Sequence, residues 1–218
     1  MYRNNSKGKP YYTQRNNRIK PGSSCNVTSM VAALSAAGWP VEKMASGGRQ
    51  PEDELMRFIL TDAACDRKWR MLDPQGRIPP NEWHAVLAYG TNRWLLGLGY
   101  SSGIVEWKEN ATLEEIRQQV DKGGSVVVSG QFPYQGRKLD HVVAVVGHDA
   151  AGFIIDDPWG DWHDGYITTK GNDISLTQSE ALQMLKPLGS GKKWAHLVKP
   201  YISLVQDEAK KEEALYEG

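Results

Sequence analysis

Behind Cys25 the apolar residues Val27, Met30, Val31 and Leu34 recur at three- and four-residue spacing, the repeat of a helix with one buried face. The spacing predicts a helix over 26–37, with Ser23 or Ser24 as cap and Gly38 as stop. Cys25 then lies in the cap or the first turn. A second helix opens at Pro51, a residue suited to a first helical turn. Acids fill its start, and Leu55, Met56, Ile59 and Leu60 share a face. A third is expected from about Pro80 to Tyr89, stopped by Gly90. A fourth follows Thr112, which forms a capping box with Glu115; Leu113, Ile116 and Val120 face inward, and Gly123-Gly124 ends it. The pattern then shortens. SVVVSG (125–130) reads as a strand, and HVVAVVGHDAAGFIIDDPWG (141–160) as two strands joined by a tight turn near 149–152. Further strands are expected at Tyr166–Thr169 and over 194–204, with a helix at Thr177–Leu185. Residues 1–10 read as a flexible lead and 206–218 as a charged tail. Helices first and an antiparallel sheet afterwards make an α+β protein.

Composition narrows the function classes. At 218 residues the chain can bury a full core in one domain. Lys plus Arg and Asp plus Glu both number 26, so no global basic field recruits nucleic acid or anionic lipid. No apolar run approaches the roughly 20 residues of a membrane helix. MYRNNSKGKPYY lacks the apolar centre of a signal peptide, so a cytoplasmic protein is expected; a monomer is expected as well. The two cysteines, Cys25 and Cys65, permit one disulfide at most, and a cytosolic origin argues against it. At least one thiol is then free.

A thiol at a helix start meets unpaired backbone N–H groups and the positive end of the helix dipole. Both favour the thiolate. His141 begins an apolar strand, and the turn that follows returns Asp156-Asp157 beside it. A carboxylate there holds the imidazole in one tautomer and leaves its other nitrogen for the thiol. Cys25, His141 and Asp157 thus make a workable nucleophile, base and orienter. The Cys25 N–H and the Gln14 side-chain amide are candidate oxyanion donors. Read one at a time, a helix-start cysteine, a strand-end histidine, an Asp-Pro turn and a surface glutamine need no chemistry at all.

The pattern YYTQRNN…PGSSCNVTSMVAAL…HVVAVVGHD…GFIIDDPWG resembles the papain-like cysteine peptidases, in the branch related to the double-glycine leader peptidases of bacteriocin exporters. The resemblance spans about Tyr11 to Gly160, with gaps. It implies a papain-like peptidase domain over 11–205, N-terminal helices packed on an antiparallel sheet, and no cofactor. It puts the catalytic cysteine on Cys25, the histidine on His141, the orienting acid on Asp157, next to a second candidate in Asp156, and the oxyanion glutamine on Gln14. No transporter segment follows, so the exporter role does not carry over. The helical stretch Pro51–Trp94 is similar to the insertion of phage-encoded lysins of this type. That implies an endolysin that cuts the peptide part of peptidoglycan, reaching the wall after release from the cell. A protein- or leader-processing peptidase, or a non-catalytic peptide-binding module on the same fold, is the alternative.

Other constellations carry less. His148, Asp156, Asp161, His163 and Asp164 fit neither a zinc spacing nor an EF-hand loop, so no metal is expected. His84 and His196 read as structural or surface residues, and Cys65 as a half-buried small one. GSGKK (189–193) lacks the spacing of a phosphate loop. Eight tryptophans are many for this length. Trp159 and Trp162, just after Asp157, are candidates to line a substrate cleft with Tyr12.

Overall fold

A computed structural model describes residues 5, 7–72, 82–185 and 194–201. The helix start expected at Pro80, the GSGKK segment, the strand residues beyond 201 and the charged stretch 206–218 lie outside them. In chain order the elements are α1 (Cys25–Ala36), α2 (Val41–Met44), α3 (Pro51–Thr61), α4 (Ala63–Leu72), α5 (Glu82–Gly97), β1 (Val105–Glu109), α6 (Leu113–Asp121), β2 (Ser125–Tyr134), β3 (Arg137–His148), β4 (Gly152–Asp156), β5 (Ile174–Thr177), α7 (Gln178–Met184) and β6 (Trp194–Val198). The six strands form one sheet in the order β1-β6-β2-β3-β4-β5, every pair antiparallel. The protein is α+β, with the arrangement of a papain-like fold.

The continuous apolar runs in β2 and β3 follow from burial on both faces. Side chains alternate along a strand. Val127, Val142, Ala144 and Val146 therefore join the core around α1, α3 and α5. Val126, Val128, Val143 and Val145 join a second core under α6 and α7. Helix α1 is buried on every side from Asn26 to Ala36. Its small polar residues fasten it to the sheet: Ser29 Oγ donates to the Val142 carbonyl at 2.9 Å, and Ser125 Oγ donates to Ala33 O.

Several expectations are corrected. Gly90 does not stop a helix but lies within α5. A Cβ there would stand 2.7 Å from Ile59 Cγ1 and 3.3 Å from Cys65 Sγ, so the glycine lets α5 approach α3 and α4. Tyr166–Thr169 is not a strand. The Asp164 carboxylate accepts from the Ile167 and Thr168 N–H groups, which ties the backbone into a local turn, and β5 completes the sheet instead. Ser24 occupies the cap position of α1 without a side-chain capping bond; its hydroxyl accepts from Asn17 Nδ2 at 2.9 Å. Helices α2 and α4 and strand β1 were not foreseen. The β2–β3 hairpin runs further than its apolar runs suggest, to Tyr134 and Arg137. At the N-terminus, Asn5 Oδ1 accepts from Lys7 N and Lys9 N at 3.1 Å, and Asn5 Nδ2 donates to Asp156 Oδ2 at 3.0 Å. Among the described residues, no helix is long and apolar enough to cross a membrane.

Candidate active site

Three segments meet at one cleft: the start of α1, the early part of β3, and the turn that leaves β4. Cys25 is the first residue of α1 and half-buried. The fastening of Ser29 to Val142 holds its helix against the strand that carries His141. His141 Nε2 lies 2.7 Å from Asp157 Oδ1, and Cys25 lines the same cleft as this imidazole. With Nε2 on the carboxylate, Nδ1 is the nitrogen left for the thiol. The ring stands edge-on to Phe132 on one side and Tyr166 on the other, at centroid distances of 5.5 and 6.1 Å.

Electrostatics favour a charged imidazole. Burial pulls the His141 pKa down, but the Asp157 charge, its hydrogen bond and the Cys25 contact outweigh that and push it up to about 10. Asp157 is fully buried and well supplied with donors. Trp159 N donates to Oδ1 at 2.8 Å, and Tyr166 OH donates to Oδ2 at 3.2 Å. Its own N–H donates to Gly171 O at 2.7 Å, and its carbonyl accepts from Tyr11 OH.

Adjacent Asp156 points the other way, as strand alternation requires. Its oxygens accept from Asn5 Nδ2 and from Asp173 N, and burial raises its pKa to about 6. Of the two acids only Asp157 bonds the histidine.

Gln14 is buried beside Cys25 and His141 along the cleft. Its backbone N–H donates to Pro158 O at 2.9 Å, so the glutamine loop is stitched to the turn behind Asp157. Side-chain Nε2 donates one hydrogen to Pro21 O at 2.8 Å. A primary amide has two, and among the described residues none accepts the second. The Cys25 N–H, at the open end of α1, lacks an intrahelical partner.

The two thiols differ. Neither forms a disulfide. Cys65 is buried rather than half-buried; burial first, then its hydrogen bond to Asp62 and that residue's negative charge, push its pKa up to about 12. Such a thiol is inert.

The cleft holds about 160 Å³ and is lined by Gln14, Gly22, Cys25, Asp140 and His141 with an aromatic and apolar wall of Phe132, Tyr134, Leu139, Trp159 and Tyr166. Trp159 is where the sequence suggests. Trp162 is not among the lining residues and packs instead on the second core. Tyr12 is corrected as well. Its ring is buried in the helical core and its hydroxyl donates to Glu42 Oε1 at 2.8 Å, because its neighbour Tyr11 is the one turned toward Asp157. Sequence reasoning missed Phe132, Tyr134, Leu139 and Tyr166. The first two alternate on β2, a signal hidden by ending that strand at Gly130.

A sequence model of the Peptidase_C39 like family matches residues 7–180. The chain belongs to that family. The match runs from the glutamine loop past the His141 strand and the Asp157 turn, and the protein is a C39-like cysteine peptidase. No curated protein matches the chain. Among the described residues, no three His, Cys, Asp or Glu side chains converge in a way that would hold a metal ion. His148 pairs with Asp121 at 2.7 Å and His163 with Asp161 at 3.0 Å.

Proposed function

We propose that the protein hydrolyses a peptide or amide bond with Cys25 as nucleophile, His141 as base and acid, and Asp157 as orienter. The observation that carries this reading is an imidazole bonded to a buried Asp157 that lines one cleft with Cys25. His141 Nδ1 takes the thiol proton. Sγ attacks the carbonyl carbon, and the Cys25 N–H with the free Gln14 amide hydrogen stabilises the oxyanion. Nδ1–H then protonates the departing amine, leaving a thioester. Water, deprotonated by the same nitrogen, attacks the thioester and restores the thiol.

For the substrate, the sequence resemblance of the Pro51–Trp94 segment to phage lysins favours the peptide part of peptidoglycan, cut after the enzyme leaves the cell. The aromatic wall of the cleft supports a second reading, in which an apolar side chain of a protein or leader segment sits beside the scissile bond. Mass spectrometry of fragments released from purified peptidoglycan by wild type and by Cys25→Ala tests the first. New amino and carboxyl ends from the wild type alone are expected. Equal release by both would refute the thiol mechanism, and release by neither would move the substrate to proteins.

A further inference from the structure

Arg15 follows the proposed oxyanion residue and packs at the edge of the cleft, against two of the residues that line it. Its guanidinium lies 4.7 Å above the Trp159 ring, and Nη2 donates to the Tyr166 carbonyl at 2.7 Å. Trp159 and Tyr166 are both walls of the cleft, so the cation is clamped between two of its lining residues. Its Nε–H is buried without an acceptor. Among the described residues, no carboxylate pairs with it. The acids of the neighbouring loop are engaged elsewhere: Asp161 accepts from His163, and Asp164 accepts from Ile167, Thr168 N and Thr168 Oγ1. A pre-ordered guanidinium with spare donors and no counter-ion suits a carboxylate ligand.

We propose that Arg15 forms a carboxylate-reading subsite and selects substrates with a negative charge close to the scissile bond. The subsite lies beside the His141–Asp157 pair, because Trp159 N bonds the carboxylate that orients His141. This rests on the reading above that Cys25 cuts an amide. The carboxylate can come from an Asp or Glu side chain, a free chain terminus, or the acidic groups of a wall peptide; the chemistry of recognition is shared.

The test digests a peptide library with wild type, Arg15→Gln, Arg15→Lys and Cys25→Ala, and in parallel digests muropeptides with free or amidated carboxyl groups. Wild-type sites should carry an acid within two residues of the scissile bond, and Cys25→Ala should cut none of them. Arg15→Gln should lose at least tenfold in kcat/KM on acidic sites, through KM, and should leave the matched Gln or amidated sites unchanged. Arg15→Lys should restore part of the loss. Amidating chain termini separates a terminal carboxylate from a side-chain one. Cys25-dependent cleavage with the same acid frequency in wild type and Arg15→Gln would overturn the subsite alone. A uniform loss on acidic and neutral sites would make Arg15 merely structural and also overturn it. No Cys25-dependent cleavage in either arm would overturn the peptidase reading, and the subsite with it.

Discussion

Gly171 controls the position of the proposed orienting acid from fourteen residues away, and Gly171→Ala isolates that control. A Cβ at this position would stand 1.9 Å from the Asp157 carbonyl oxygen and 2.5 Å from Tyr11 Oη. Ordinary contact begins near 3.4 Å, so the two chain segments must part by about 1.5 Å, and tightly packed interiors do not yield that freely. The movement breaks the bond from Asp157 N to Gly171 O and the bond from Tyr11 OH to Asp157 O. Two hydrogen bonds at about 1 kcal/mol each, with overpacking of about 1–3 kcal/mol, give a loss of about 3–5 kcal/mol. A domain in the upper part of the usual range of about 5–15 kcal/mol still folds after that. Displacing Asp157 by on the order of 1 Å costs about 10²-fold in rate. Urea unfolding gives the stability loss, and Cys25-dependent turnover the rate. A variant within about 1 kcal/mol of wild type and equally active would refute the claim that this close approach positions Asp157.

Four further outcomes follow from the same contacts. Asp157→Asn removes the charge that opposes burial at His141, so the basic limb of kcat/KM should move down from near pH 10 and activity should fall by about 10²–10⁴-fold; an unmoved limb in the pH–rate profile would assign it to another group. In wild type the raised His141 pKa contributes stability that is complete below about pH 6.5 and is lost as pH rises through about 10, measurable as a falling melting temperature across that window. Asn5→Ala deletes a bond to the buried Asp156 carboxylate and should cost about 1.5–3 kcal/mol, with faster amide exchange at Lys7 and Lys9. His84 and His196 are held neutral, His84 near 2 by burial and then by the charge of His196, His196 near 4 by burial. Their folded pKa values lie below the unfolded one, so stability falls as pH drops below about 6.5. His84→Phe, which keeps a ring against Trp194 at the 3.4 Å centroid spacing, should move the acid-unfolding midpoint to lower pH.

The helix behind Cys25 and both capping boxes, at Thr112 and Thr177, depend on neighbours within four residues, and periodicity and cap chemistry reveal them. The second box opens the helix expected at Thr177–Leu185, where sequence reasoning did not pick out the cap. Gly90 misled for the opposite reason: within its own segment a glycine ends a helix, and only the approach of Ile59 and Cys65 from other helices explains one in the middle. Tyr166 misled because its β-branched and aromatic neighbours favour a strand, while Asp164 offers the backbone a turn, and a positive φ of 64° takes it there.

By itself the sequence determined the thiol at a helix start, the histidine on an apolar strand, an acid at the end of the returning strand, and membership of a cysteine peptidase lineage. Each is a matter of residue type and local spacing. Tertiary structure decided which of two adjacent aspartates meets the imidazole, which of two adjacent tyrosines leaves the core, and which aromatics wall the cleft. Those choices turn on side-chain alternation and strand register, and a shift of one residue exchanges one face for the other. Only the pairing of β3 with β4 and the docking of the Gln14 loop on Pro158 set that register.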